Sequence, residues 1–248
     1  MPKSRAVALH FLISLTIVSG LLAVIFLIWY PAPFFRISGA QNALRTLIGV
    51  DLVLGPVLTA YLYRPGKRGL IIDMWFIAIV QLSALAYGSY VLYIERPQYM
   101  VFAVDRFVVM TDRDVTDPQL ARGHCQGHWR LPCVMVAEMP TDAEIREALL
   151  FRSVEQGIEL EQQPEFWRPL DEAMQGVLDR ARPLQAIIDH DQNAAESVNK
   201  MLLRHDRALD SVVYVPVVNK MPKSFALVVD ARTAATVAMV SVDPWDVN

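Results

Sequence analysis

AVALHFLISLTIVSGLLAVIFLIWYPAPFF (residues 6–35) carries no charged side chain between Arg5 and Arg36, and His10 is its only side chain of a type that ionises near neutral pH. A bilayer core takes about 20 apolar residues as helix, so residues 9–30 are long enough to span it. A cleaved signal peptide is the competing reading. Such a peptide has an apolar region of about 7–15 residues and small residues at its cleavage site. This run is longer, and Phe26, Leu27, Ile28, Trp29 and Tyr30 fill its end with bulk. It is therefore read as an uncleaved span. Trp29 and Tyr30 suit the membrane–water boundary, and Pro31 stops the helix.

Two further apolar runs follow. Residues 46–63 end at Arg64-Pro65-Gly66-Lys67-Arg68, and residues 74–93 form an uncharged stretch of 20 positions closed by Glu95-Arg96-Pro97. A buried helix of a soluble core is the alternative for any one of them. Three in succession, with basic and Pro/Gly punctuation between, favour spans. The expected organisation is a three-helix transmembrane region over residues 1–96 (spans near 9–30, 46–63 and 74–93) and one exterior domain over residues 97–248. Lys3, Arg5, Arg64, Lys67 and Arg68 fall on one side of these spans, and Arg36, Arg45, Arg96 and Arg106 on the other. Lys and Arg concentrate on the cytoplasmic side. The N-terminus is thus read as cytoplasmic and the C-terminal domain as exterior, which is periplasmic in a Gram-negative bacterium.

Cys125 and Cys133 are the only two cysteines, and both lie in the part read as exterior. An even count in an oxidising compartment reads as a disulfide, and so short a closed loop should stabilise by about 2–3 kcal/mol. Charge divides the chain at the same place. Residues 1–96 carry 8 Lys/Arg and 3 Asp/Glu, net +5, while residues 97–248 carry 15 and 23, net −8, which sum to the −3 of the whole. An acidic exterior domain argues against nucleic acid or anionic lipid as its ligand.

The exterior part reads as α+β, an antiparallel sheet with several helices. Residues 99–111 (YMVFAVDRFVVMT) are β-branched and aromatic, which predicts a strand or a bent pair of strands. Residues 133–138 are a second candidate. Thr141 and Glu144 have capping-box spacing and open a helix to about Gln156. Residues 170–182 and 183–207 read as two more helices, with Ile187, Ile188, Val198, Met201 and Leu202 on one stripe. Residues 212–218, 225–229 and 236–242 read as strands, the last two paired across a hairpin turn at 230–235.

Candidate chemistry is sparse. His124, Cys125, His128 and Cys133 could form a tetrahedral zinc site, but adjacent His124 and Cys125 would both have to face one ion, and a disulfide is the favoured reading; no metal or cofactor is assigned. Asp51 is a carboxylate inside an apolar segment, a functional group by default. Gly55 and Thr59 share its helical face, and Gln81, Ala84 and Gly88 form a matching face on the third span. Small residues permit close helix approach and polar ones bond across it. The face can hold the bundle together or receive a partner's transmembrane helix; ion or proton translocation is the third possibility. His190 and His205 read as surface residues. Asp112, Asp114 and Asp117 cluster after the first strand without the glycine and terminal glutamate of a calcium loop. No phosphate-binding glycine loop, G-x-S-x-G or H-E-x-x-H occurs, and no catalytic residue is assigned. A membrane-anchored enzyme acting on envelope glycan or lipid through the acidic loop remains an alternative, as does an anchored scaffold or ligand-binding protein.

FLIWYPAPFF (26–35), LIGVDLVLGPVLT (47–59), PGKRGLIIDMWFIAIVQLSALAYGSY (65–90) and RPQYMVFAVDRF (96–107) resemble the TfpX/TfpZ family of type IV pilin accessory proteins. Asp51, Gly55 and Pro56 stand in the family-like D-L-x-L-G-P pattern. Asp73, Gln81, Tyr87 and Gly88 match the third-helix pattern, Asp105 and Arg106 the D-R that follows, and Asp243-Pro244-Trp245 the close. The likeness runs the whole length and is strong over about residues 1–107. It implies a non-enzymatic inner-membrane protein with a type IV pilin as partner, chaperone-like in its effect on pilin stability, assembly or display.

Overall fold

Helices α1 (Lys3–Trp29), α2 (Gln41–Leu62) and α3 (Leu70–Ile94) are each long and apolar enough to cross a membrane. The computed structural model describes residues 2–127, 132–190, 192–219, 225–242 and 244. Among them the chain divides into two units, Met1–Arg96 and Pro97–Asn248. Each helix begins several residues before its apolar run. Lys3, Arg5, Gln41, Asn42 and Arg45 continue the helical hydrogen bonding past the point where apolarity stops. The three helices pack through Ile25, Leu44, Leu47 and Leu92, and the buried Tyr30 hydroxyl donates to Leu92 O at 2.7 Å. Much of the remaining apolar surface faces outward. Leu27, Ile71 and Ile72 are each more than 70% exposed, which suits lipid and would be costly in water.

Two of the helices widen to π geometry for one turn, over Ile25–Trp29 in α1 and Val50–Leu54 in α2. The second has a clear cause. Pro56 has no N–H to give the preceding turn, and Gly55 N bonds Val50 O, five residues back.

The second unit is a mixed sheet with helices. Its strands are β1 (Tyr99–Ala103), β2 (Arg106–Met110), β3 (Cys133–Ala137), β4 (Trp167–Pro169), β5 (Arg182–Pro183), β6 (Val212–Val218), β7 (Phe225–Asp230) and β8 (Thr236–Val240). The order is β4-β3-β1-β2-β6-β7-β8, with β5 beside β6. Residues 99–111 form the β1–β2 hairpin, turning at Val104 and Asp105. The expectation of an antiparallel sheet needs one change: β1 pairs with β3, and β2 with β6, in parallel. Parallel neighbours need long crossovers, and here helices supply them. Helix α4 (Pro118–His124) precedes β3, and α5 (Ala143–Gln156), α6 (Met174–Leu178), α7 (Gln185–His190) and α8 (Gln192–His205) precede β6. Central β1 is buried along its whole length, as a strand covered on both faces should be.

Two apolar clusters flank the sheet. One gathers Tyr99, Val101, Met135, Leu149 and Trp167. The other gathers Tyr214, Val228, Ile187, Val198, Met201 and Leu202, with Ile188 packed against it. Other expectations are corrected. The N-cap of α5 is Asp142, whose Oδ1 accepts from Glu144 N (2.9 Å) and Ile145 N (3.2 Å), rather than Thr141. The Thr141 carbonyl instead accepts from Arg146 Nη2. The helix ends as expected at Gln156, where Gly157 takes φ +66°. Residues 170–182 hold only the short α6, because Trp167–Pro169 is drawn into the sheet and Arg182–Pro183 pairs with β6. Within the predicted helix over 183–207, Gln185–His190 (α7) and Gln192–His205 (α8) are helical, and residue 191 lies outside the described residues.

Candidate functional site: a polar network within the three-helix unit

α1, α2 and α3 each bring one polar side chain to a common point. His10 Nδ1 lies 2.6 Å from Thr59 Oγ1, and His10 Nε2 lies 2.8 Å from Gln81 Oε1. Gln81 Nε2 donates to the backbone carbonyl of Asp51 at 3.3 Å. These partners fix the roles. A carbonyl can only accept, so the Gln81 nitrogen must face Asp51 O and its oxygen must face His10. His10 Nε2 therefore carries a proton, and in the neutral ring Nδ1 accepts from the Thr59 hydroxyl.

The D-L-x-L-G-P stretch explains why Asp51 O is available. In a regular helix Gly55 N would serve it, but Gly55 N is bonded to Val50 O. In the wider turn the donor would be residue 56, which is proline. Gln81 supplies what the helix cannot. Gly55 makes room for it: a Cβ there would sit 2.0 Å from Gln81 Nε2. Gly88 allows a second close approach, since a Cβ there would meet Leu47 Cδ1 at 2.9 Å.

Asp51, Gly55, Pro56, Thr59 and Gln81 are all buried, so the face read from the sequence is turned into the bundle. Ala84 and Gly88 are half-buried and line a cavity of about 290 Å³ with Ala43, Thr46 and Val50. A larger cavity of about 370 Å³ is lined from α1 and α3 by residues such as Leu9, Ile13, Ala78 and Leu82. Asp51 borders both. Its Oδ2 is buried and has no hydrogen-bond partner among the described residues.

The other motif residues lie elsewhere. Asp73, in the first turn of α3, pairs with Lys67. Tyr87 is largely exposed on α3. Asp105 and Arg106 pair with each other at the β1–β2 turn, 3.3 Å apart. Pro244 O lies 3.4 Å from the Tyr214 hydroxyl, while Asp243 and Trp245 fall outside the described residues. His10 was missing from the face inferred from sequence. Its signal is that it is the only side chain in a 30-residue apolar run of a type that ionises near neutral pH.

In the second unit Cys125 and Cys133 form a disulfide, Cα to Cα 5.9 Å, tying the end of α4 to the start of β3. His128 lies outside the described residues, and among those described no group of three His, Cys, Asp or Glu side chains could hold a metal. His205 is exposed, and the His190 side chain is likewise outside the description. The three loop carboxylates are each committed to local structure. Asp112 accepts from the Tyr99 hydroxyl (2.6 Å) and Gln98 Nε2 (3.0 Å), and burial together with that carboxylate pushes the Tyr99 phenol well above its ordinary range. Asp114 Oδ2 accepts from Thr111 N and Oγ1, and Asp117 caps α4. Burial raises the Glu161 carboxyl. Asp230 is held low by the backbone N–H groups of Arg232 and then Thr233 at the β7–β8 turn.

These features define a class: a chain with three helices able to cross a membrane, polar-bonded to one another, followed by a disulfide-linked mixed-sheet domain. The model of the fimbrial assembly protein FimB matches residues 1–39. The fimbrial assembly proteins of serogroups I and E1 of Dichelobacter nodosus are 29% and 26% identical to this chain, over 96% of it and 94% of their own length. That of serogroups C1 and C2 is 39% identical over 109 residues, 83% of its length and 43% of this chain. The chain belongs to the fimbrial assembly protein family. No solved structure matches it.

Proposed function

We propose that this protein is an inner-membrane accessory factor of type IV pilus assembly, of the TfpX/TfpZ kind, acting on pilin in a chaperone-like way. The similarity to two fimbrial assembly proteins over 96% of the chain carries this reading. The geometry supports it. A pilus subunit awaiting assembly has a part in lipid and a part outside it, and a protein with three membrane helices and an exterior domain can meet both. The N-terminus and the loop at 63–69 face the cytoplasm, and residues 97–248 face the periplasm, where a disulfide persists. Asp112, Asp114 and Asp117 serve turns and a helix cap, which favours an assembly role over an enzyme of the acidic loop. Deleting the gene in its host tests the proposal. Pilin level, surface pili and twitching should fall; if all three are unchanged, the proposal fails.

A further inference from the structure

The network holds Asp51 by its backbone and leaves its carboxylate oxygen unserved. Gln81 Nε2 is used on Asp51 O, His10 Nε2–H on Gln81 Oε1, and the Thr59 hydroxyl on His10 Nδ1. Asp51 is only 5% exposed, and a buried carboxylate oxygen without a donor is unfavourable. It borders two apolar cavities, of about 370 and 290 Å³. The second is edged by Ala43, Ala84 and Gly88, small residues that let another backbone come close.

We propose that Asp51 is the docking point for one apolar helix of a partner membrane protein, carrying a single cationic donor (amine or guanidinium) within its apolar run. Charge complementarity selects the donor, since Asp51 is the only acid in the network. Depth selects the helix. Asp51 stands six residues past Arg45, about 8 Å of helix inside the apolar run that begins at Thr46. A lipid acyl chain could fill the apolar cavity but brings no donor, and a headgroup amine stays at the interface. A side chain on a spanning helix reaches this depth. The proposal deepens the assembly reading and rests on it for the partner's being a membrane protein.

The test uses the full-length, dye-labelled protein in vesicles of phosphatidylethanolamine and phosphatidylglycerol. The probes are synthetic Leu/Ala helices of about 20 residues with a central Lys, Leu or Glu, titrated by energy transfer. The Lys helix should associate roughly tenfold more tightly than the Leu helix, and the Glu helix no more tightly than the Leu helix. Asp51→Asn should abolish the preference. Ala78→Phe, which fills the larger cavity and leaves Asp51 in place, should weaken binding of the Lys helix. The comparison of probes on the unaltered protein carries the test even where a variant fails to fold. Equal affinities for the Lys and Leu helices overturn the proposal, as does a Lys preference that survives Asp51→Asn. Competition by added lipid with equal probe affinities assigns the cavity to an acyl chain and overturns it. Asp51-dependent self-association in place of probe binding assigns the site to a second copy and also overturns it. Equal affinities together with loss of pili on gene deletion remove this site and leave the assembly reading standing. A Lys preference without a deletion phenotype supports the site and removes that reading.

Discussion

Gly55 sets how closely Gln81 can approach α2. A methyl group there would stand 2.0 Å from Gln81 Nε2, so in Gly55→Ala the amide must swing away. It would then lose both His10 and Asp51 O. The expected cost is about 1–2 kcal/mol, read as a lower thermal midpoint of the full-length protein in detergent. Because the loss acts through Gln81, Gly55→Ala should add little to Gln81→Ala; additive effects would show that the glycine does something else. Asp51, Gly55 and Thr59 were legible as a face because polar and small residues stand out in an apolar run. His10 was not, since its partners lie 49 and 71 residues away and nothing local announces them. Asp230 gives a residue-scale prediction in pH. Its carboxyl is held below the ordinary carboxylate range by Arg232 N and Thr233 N, so the folded state binds a proton less readily than the unfolded chain. The resulting stability is present above the ordinary carboxylate pKa of about 3.9 and is lost as pH falls through the lower, folded value. Asp230→Asn should remove this dependence. The difference in denaturant midpoint between the native protein and the variant should therefore shrink as pH is lowered from neutrality towards 3.

Pro56 governs an element rather than a contact, because it is the residue that leaves Asp51 O without a helical donor. In Pro56→Ala the segment can close as regular α-helix, with Gly55 N returned to Asp51 O. Gln81 would then donate to a carbonyl already served. The cost of Gln81→Ala should be smaller in the Pro56→Ala background, with a coupling of about 0.5–1.5 kcal/mol in a double-mutant cycle. A coupling of zero would mean that the π turn at Val50–Leu54 has another cause. Elsewhere, element type was readable where pattern and punctuation agreed. Residues 212–218 are mostly valine and lie in β6, and residues 99–111 turn where Val104-Asp105 interrupts them. The misreading of 170–182 as helix has a physical cause. Pro169 and Pro183 are edge pairs in the sheet, and pairing with β3 and β6 overrides a local pattern that holds helix-forming residues. The parallel pairs were illegible for a related reason. Register between β2 and β6 depends on the path of the intervening helices, and no local residue encodes it.

At the scale of the molecule, charge and redox chemistry separate the two parts more sharply than any single residue does. Residues 1–96 carry net +5 and residues 97–248 net −8, and the disulfide lies in the acidic part. The orientation proposed above follows from five basic residues on one side of the helices against four on the other. So narrow a margin needs a direct test, and the chain is well suited to one. Cys125 and Cys133 are bonded to each other and no free cysteine is present among the described residues, so an introduced thiol reports alone. Val104 is 60% exposed at the tip of the β1–β2 turn, and Gly66 is exposed between α2 and α3. With three spans these two positions must lie on opposite sides of the membrane, since α3 alone separates them. In intact spheroplasts a membrane-impermeant maleimide should label Val104→Cys at once. Gly66→Cys should be labelled only after the membrane is opened. The reverse pattern would place the acidic domain in the cytoplasm, where a disulfide would not persist and the exterior of a pilus subunit could not be reached. Labelling of both positions from outside would mean that α3 does not cross.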